Sequence, residues 1–215
     1  MDFIINILKL LKDRSDFFIS LLAQHIIMSV EAAIIICIIG ITLGIFITRN
    51  KKIANFVLGI TNFIYTIPSI ALFGCLVTIT GIGNTSALIA LVVYGLLPVI
   101  RNTYVGITEV DYQIVESAVA MGSTDGQLLI KVQLPLALPV IMSGLRTMFI
   151  MTIALGGIAS FIGAGGLGVA IWRGITTNFP EMTAAGSLLV ALLAISCDGM
   201  MGLLEKKIQK RIYKK

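Results

Sequence analysis

The sequence has few charged residues and few of the residue types that build soluble sites. Only 13% of its 215 residues are charged, whereas an ordinary soluble domain carries roughly 25%, so a surface facing only water is excluded. Cys37, Cys75 and Cys197 form no CxxC pair, and each lies inside an apolar run. This excludes a disulfide scaffold and favours small buried apolar residues. A P-loop pattern, G-x-x-x-x-G-K-[ST], is also absent, so we do not expect this chain to hydrolyse ATP.

Apolar residues dominate instead, at 57% of the chain. No Asp, Glu, Lys or Arg occurs in the 48 residues 53–100, and further charge-free runs cover 147–172 and 182–197. A membrane-spanning helix needs about 20 residues, so the longest run holds two spans, divided by turn chemistry at 80–84. With the apolar run 25–48, the sequence predicts an all-α polytopic membrane protein with about five transmembrane helices, near 22–48, 57–80, 86–105, 138–161 and 183–204.

The basic residues predict how these spans are oriented. Five spans sort the sixteen Lys and Arg residues into two alternating sets of loops, which hold twelve and four. Cytoplasmic loops are enriched in Lys and Arg, so the N-terminus is predicted outside and the C-terminus in the cytoplasm. Because these charges flank apolar runs, they do not indicate nucleic-acid binding. The smaller set consists of Lys9, Lys12, Arg14 and Arg173.

We predict one transmembrane domain over 1–215, with its core at 22–204 and a basic cytoplasmic tail at 205–215. Apolar residues recur with helical spacing near the N-terminus, and no signal-peptide cleavage pattern follows them. Segment 1–18 is therefore predicted to be an amphipathic segment that lies on the membrane surface.

The largest predicted cytoplasmic loop, 106–136, has the pattern of two short helices. Asp111 is a good N-cap for the first helix, which should end before Gly122, and Thr124 with Gln127 fits a capping box that starts the second. Pro135 is predicted to break the chain before the next span. From these residues alone, an ordinary cytoplasmic helical hairpin is as compatible with the pattern as a functional element.

This loop contains a spaced motif that consists of Glu116, Ser117, Ala118, Gly122, Val132, Leu134 and Pro135. The motif resembles the EAA loop of ABC-importer permeases. Ser117 replaces that loop's usual first Ala, and Val132 replaces its frequent Ile. In that family the loop forms coupling helices that insert into a groove on the ATP-binding subunit. The resemblance therefore implies coupling to an ATPase through the residues of this motif.

Further segments are similar to importers of osmoprotectants such as glycine betaine, carnitine or choline. They are Gln24-His25, 65–72, 94–104 and 161–168. The resemblance implies a type I ABC-importer permease fold in the cell membrane. It also implies four kinds of partner: two ATP-binding subunits that hold ATP and Mg, a second permease subunit, a separate substrate-binding protein and a small-molecule solute. No cofactor is expected in this chain. Methionine-type permeases are the nearest alternative.

Two groups of residues are candidates for transport sites. Pro68 should break the helix of the second span, and a plain kink is the first interpretation of this break. The functional alternative is a broken segment that lines the path, where freed backbone groups meet water. Gly163-x-Gly165-x-x-Gly168 fits a dinucleotide fingerprint but follows an apolar helix, so we predict a close-packed extracellular turn. The candidate path residues are Tyr65, Thr66, Pro68, Ser69, Tyr94 and Glu31. The candidate binding-protein docking residues are Gly165, Gly166, Trp172 and Arg173.

The few polar residues within the spans bear on two further classes of membrane protein, a passive channel and a membrane-embedded enzyme. Arg146 and Asp198 both lie toward the cytoplasmic side, so an interhelical pair between them is one prediction. Interfacial snorkelling and a polar lining of the cavity are the alternatives. The lone histidine, His25, is expected at the membrane interface and not in a metal site.

A passive channel should lack a coupling loop, and a membrane-embedded enzyme needs a polar catalytic cluster at membrane depth. Neither class fits the sequence.

Overall fold

The computed structural model describes residues 2–213 and, within them, contains helices and no strand, as predicted. A π-helix over Leu129–Gln133 and a 3₁₀ turn over Ser160–Ile162 flank the helix over Leu134–Ala159. The α-helices are α1 (Asp2–Asp13), α2 (Ser15–Ile47), α3 (Lys51–Thr66), α4 (Ser69–Thr80), α5 (Asn84–Thr108), α6 (Tyr112–Ala120), α7 (Asp125–Leu128), α8 (Leu134–Ala159), α9 (Gly168–Thr176) and α10 (Pro180–Tyr213).

Four helical stretches are long and apolar enough to cross a membrane: α2, α5, the run 125–162 that contains α8, and α10. Helices α3 and α4 qualify only as a pair, bent by 98° at the break between them. The number of spans is the predicted five if this pair counts as one span, and four otherwise. The first span begins earlier than expected, at Ser15. The tail is helical as far as Tyr213, and Lys214 and Lys215 lie outside the described residues.

The centre of the bundle is formed by α2, α5 and α8, whose close approach depends on small residues. A Cβ added at Gly40 would lie 2.8 Å from the side chain of Val99, and one added at Gly44 would lie 2.6 Å from the Thr103 Cβ. The two glycines, one helical turn apart on α2, therefore let α5 pack against its backbone, as is common between membrane helices. Ile36, Leu91 and Met148 fill the apolar core between these helices.

The connecting segments gather at two opposite ends of the bundle. At one end, the Gly83 N–H donates to the Ile162 carbonyl at 2.9 Å, which joins the α4–α5 link to the end of α8. At the other end, the α2–α3 link lies beside the start of α7. We call the first the turn end (the segments 80–84 and 160–168, with residues 20–25 of α2 beside them) and the second the loop end (48–51 and 108–134). This grouping matches the two alternating sets of loops in the sequence.

Two features outside the central bundle differ from expectation. The N-terminal helix is present, but it ends at Asp13 and not near 18, and its Ile7 is buried against a cluster that includes residues of α10. Its placement on the membrane surface stays a prediction. Cys75 was predicted to be buried and is exposed. Helix α4 buries only Phe73, and a residue two positions later on a helix lies on a different face. Cys37 and Cys197 are half-buried.

Candidate functional site

The break between α3 and α4 is a true interruption of the helix and not a plain kink. Proline lacks an N–H and disfavours helical geometry at the preceding residue, and Ile67 is accordingly extended, with φ −70° and ψ 127°. The Ile67 carbonyl oxygen, left without a helical partner, accepts a hydrogen bond from the Tyr94 hydroxyl. A side chain of α5 thus stabilises the broken backbone at Pro68.

Five of the six candidate path residues lie around this break. The rings of Tyr65 and Tyr94 pack edge to face with their centroids 6.0 Å apart, and the Tyr65 hydroxyl lies 3.4 Å from the Met151 sulfur. Tyr94 is buried, whereas Tyr65 is 44% exposed. Thr66 and Ser69 flank the break on either side. Exposed aromatic surface and interrupted backbone therefore occur together, while the role in transport stays a prediction.

Glu31, the sixth candidate, does not lie at the break. It lines a separate cleft at the turn end, between α2, the start of α5 and the glycine turn, with a volume of about 570 Å³. We call this the turn-end cleft. Its lining residues are Gln24, Ile27, Met28, Glu31, Asn84, Thr85, Leu88, Gly163, Ala164 and Gly165.

The glycine turn after α8 adopts backbone conformations that favour glycine. Gly163, Gly165 and Gly166 have φ values of +82°, +73° and +77°. The Ser160 hydroxyl donates to the Gly165 carbonyl at 2.6 Å, and the Gly166 N–H donates to Gln24 Oε1 at 3.2 Å. The predicted close-packed turn is therefore present, and α2 anchors it.

His25 was predicted at the membrane interface, and its depth in the membrane stays a prediction, but the side chain is fully buried within the protein. Its Nδ1 accepts the Leu167 N–H at 3.2 Å, and its Nε2 lies 3.0 Å from the Ile153 carbonyl oxygen. The ring thus joins α2, α8 and the glycine turn. The sequence signal was a polar Gln-His pair within an apolar run, but it did not identify the partners.

The candidate docking residues divide into anchored and exposed groups. Gly166 is buried against His25, and Gly165 is half-buried beside Gln24. Trp172 and Arg173 on α9 are exposed. The Trp172 ring packs on Phe161 with centroids 4.8 Å apart, and the Arg173 guanidinium lies 5.2 Å from the centre of the Phe17 ring. The turn therefore fixes α9, and α9 presents the exposed side chains.

The loop-end helix α6 has the predicted caps. The Asp111 side chain accepts the Gln113 N–H at 2.8 Å, and Thr124 with Gln127 forms the capping box that starts α7. At the end of α6, the Ser123 N–H bonds the Ala118 carbonyl while Gly122 takes φ +87°, which is the geometry of a Schellman motif. This loop is therefore an ordered helical element.

The surface of α6 carries an unusual number of exposed apolar side chains. Ala118 is buried, whereas Glu116 and Ser117 face outward. A Cβ added at Gly122 would have no neighbour within 4 Å in this chain. The large apolar residues exposed on and beside this helix are Tyr112, Ile114, Val119 and Met121.

Pro135 was predicted to break the chain, and this is wrong. Helix α7 continues through the π-helix directly into α8, and the Leu134 N–H bonds the Leu129 carbonyl five residues earlier. Pro135 lies in the first turn of α8, where a missing N–H is tolerated. Val132, Leu134 and Pro135 are half-buried at this junction. The loop predicted at 106–136 thus begins within α5 and ends within α8.

The predicted pairing of Arg146 with Asp198 is confirmed. The guanidinium Nε and Nη2 donate to the two Asp198 carboxylate oxygens at 2.5 and 2.8 Å, and Nη1 lies 3.3 Å from Glu205. Glu205 was missed because it had been assigned to the tail. Residues 2–210 hold no group of three or more His, Cys, Asp or Glu residues that is arranged to bind a metal ion.

Comparison with known proteins agrees with these features. The family described as binding-protein-dependent transport system inner membrane component matches residues 17–210. The chain is 43% identical over 186 residues to the glycine betaine/carnitine/choline transport system permease protein OpuCD of Bacillus subtilis (strain 168), covering 86% of this chain and 81% of that protein. It is 40% identical over 164 residues to the ergothioneine transport permease/ergothioneine binding protein EgtU of Helicobacter pylori (strain G27), covering 76% of this chain but 30% of that longer protein.

A solved structure supports the predicted fold. An inward-facing conformation of the MetNI methionine ABC transporter contains a chain that superposes with a TM-score of 0.77. The match covers 89% of this chain and 95% of the other at 22% identity, so it concerns the fold alone. From the family match, the close relatives and this fold, the chain belongs to the family of binding-protein-dependent transport system inner membrane components and is a multi-pass membrane permease of the ABC-importer type.

Proposed function

We propose that this chain forms the translocation path of an ATP-driven importer for a small quaternary-ammonium osmoprotectant such as glycine betaine, carnitine or choline. A separate binding protein delivers the solute, and a separate subunit hydrolyses ATP. The proposed substrate class rests on the 43% identity to a permease that is named for these three solutes. A second relative is named for ergothioneine, which also contains a trimethylammonium group. This supports a solute with a quaternary ammonium.

Coupling to the ATPase is assigned to α6. A helix of nine residues outside the apolar spans does not need several exposed large apolar side chains for its own folding. Their exposure supports a protein partner that covers this surface. Gly122 reverses the chain immediately after α6, and the following segment continues through the π-helix into α8. A displacement of α6 would therefore reach a transmembrane helix without passing through a flexible linker.

Orientation follows from the charges at the two ends of the bundle. Arg49, Lys51, Lys52 and Lys131 belong to the loop end or adjoin it, and Arg173 follows the turn end. With the loop end in the cytoplasm, most basic residues obey the positive-inside rule. The turn end then faces outward, where α9, with exposed Trp172 and Arg173, is the docking surface for the binding protein.

A second permease subunit, identical or homologous, completes the path. The break at Pro68 leaves Tyr65 and Thr66 exposed on the outside of this single bundle. Interrupted backbone at membrane depth is tolerated where protein or a water-filled cavity covers it. A second subunit facing the break would provide that cover and enclose the path between the two chains.

Reconstitution with candidate partners tests this function. The permease is assembled in proteoliposomes with an ATPase and a binding protein, and ATP-dependent uptake is measured for glycine betaine, carnitine, choline, ergothioneine and methionine. We expect uptake of at least one quaternary-ammonium solute and none of methionine. Uptake of methionine alone would replace this proposal with the methionine-type alternative.

A further inference from the structure

Glu31 is an ionisable residue within an apolar stretch of α2, and the structure gives it no ion-pair partner among residues 2–210. Arg146, in contrast, has two carboxylates around it in the same bundle. A carboxylate at membrane depth is costly, and such residues usually face a water-filled cavity or a functional path. Glu31 follows this rule, since it is exposed and lines the turn-end cleft.

The remaining lining of the cleft has a definite chemical pattern. Asn84 and Thr85 at the start of α5 can each donate a hydrogen bond through the side chain. Gln24 on α2 accepts the Gly166 N–H through its Oε1, and its Nε2 donates to the Ser20 hydroxyl at 3.4 Å. The second N–H of this amide group remains as a donor toward other groups. Within this lining Glu31 is the only charged residue, and its carboxylate only accepts hydrogen bonds when ionised.

Apolar side chains complete the lining of the cleft. Ile27 and Met28 on α2 and Leu88 on α5 belong to the same lining. Methionine sulfur and aliphatic carbon suit the methyl groups of a quaternary ammonium, which has no N–H to donate. The volume of about 570 Å³ lies within the roughly 300–1,000 Å³ of small-molecule sites.

We infer that the turn-end cleft is a solute subsite within the permease itself, for a small zwitterion that carries both a quaternary ammonium and a carboxylate. Glu31 attracts the ammonium, while Asn84, Thr85 and Gln24 donate to the solute carboxylate. The inference rests on the proposed function and deepens it. The binding protein selects the solute first, and this cleft then receives it at the end of the bundle where the binding protein docks.

The test measures solute binding without the binding protein. The assembled permease–ATPase complex in nanodiscs is titrated with radiolabelled glycine betaine and with choline. Glu31→Gln removes the charge at nearly constant shape and should weaken the binding of both solutes about tenfold, as expected for one lost charge contact in a wet cleft. Glu31→Asp keeps the charge and should remain closer to the original affinity.

Two further variants separate the subsite from general effects. Asp16→Asn removes an exposed acid of α2 outside the cleft and should leave binding unchanged. Asn84→Asp replaces a donor with a second carboxylate, so it should weaken betaine binding but not choline binding. Co-purification of the ATPase verifies that each variant assembles.

Equal affinities for Glu31→Gln and the original complex would overturn the subsite. So would the absence of detectable solute binding by an original complex that transports betaine when the binding protein is present. Failure of that complete system to transport any quaternary-ammonium solute would instead refute the proposed function. The two failures are therefore distinguishable.

Discussion

His25 in α2 accepts, through Nδ1, a hydrogen bond from the backbone N–H of Leu167, which lies 142 positions later in the chain. Because Nδ1 is the acceptor, the ring proton is on Nε2, which donates to the Ile153 carbonyl at 3.0 Å. A single neutral imidazole thus fixes the glycine turn against two transmembrane helices.

Replacing His25 with Phe should destabilise the turn end. The substitution leaves the buried Leu167 N–H and Ile153 carbonyl without this partner, and each unpaired group costs about 1–3 kcal/mol. Thermal unfolding of the purified protein, followed through the fluorescence of its single tryptophan, Trp172, should show a lower midpoint. His25→Gln retains a donor and an acceptor and should lose less stability. An unchanged midpoint for His25→Phe would contradict the assigned role.

The ion pair between α8 and α10 should depend more on Asp198 than on Glu205. Asp198 accepts two hydrogen bonds from Arg146, whereas Glu205 accepts one longer bond. Asp198→Asn should therefore lower the midpoint of thermal unfolding more than Glu205→Gln does. Because the Arg146 and Asp198 side chains are each 37% exposed, we expect a moderate change and not loss of the fold. The reverse order of the two variants would show that the bidentate pair is not the main contact.

The helix break should be sensitive to one hydroxyl group. Tyr94→Phe removes the donor to the Ile67 carbonyl and leaves an acceptor unpaired at the break. The expected loss is about 1–3 kcal/mol of unfolding free energy. Tyr65→Phe is the matched control, because that hydroxyl contacts only the weakly accepting Met151 sulfur. If both variants unfold at the same temperature, the Tyr94 hydroxyl does not stabilise the break.

Topology can be checked by cysteine labelling. In a background without Cys37, Cys75 and Cys197, a cysteine placed at Gln127 should resist an impermeant reagent added to intact cells. A cysteine placed at exposed Asn178, beyond α9, should react from outside. Labelling of the Gln127 position from outside would reverse the proposed orientation.

The sequence predicted most features that depend on neighbouring residues. Asp111, the pair Thr124 and Gln127, and the break at Pro68 act through hydrogen bonds or steric clashes within a few residues, so their patterns are legible locally. The close contact of α2 with α5 likewise depends on a local pattern, since Gly40 and Gly44 lie four residues apart and only small residues permit such an approach.

Features that depend on distant partners were missed. Nothing near His25 in sequence reveals Leu167 or Ile153, and Glu205 became a partner of Arg146 only because α10 continues beyond the membrane span. Pro135 was misassigned because the same residue can end one helix or stand in the first turn of the next. In the structure, the π-helix before Pro135 joins α7 to α8 without a break in the helix.

Substitutions at Gly122 test the central claim, which is that α6 couples ATP hydrolysis to transport. Its φ of +87° is unfavourable for a β-branched residue but is tolerated by Asn, and a new side chain meets nothing within this chain. Gly122→Val should therefore disturb the end of α6 while leaving every span intact, and Gly122→Asn should preserve the bend. Glu116→Ala is expected to weaken coupling less than Gly122→Val.

The decisive measurement is solute uptake per ATP hydrolysed, in proteoliposomes that contain the permease, its ATPase and the binding protein, with the amount of bound ATPase determined in the same samples. We predict that Gly122→Val is present at normal abundance and has lost most of its uptake per ATP, while Gly122→Asn retains more of it. Normal uptake per ATP by Gly122→Val, with the ATPase still bound, would contradict the assignment of α6 as the coupling element.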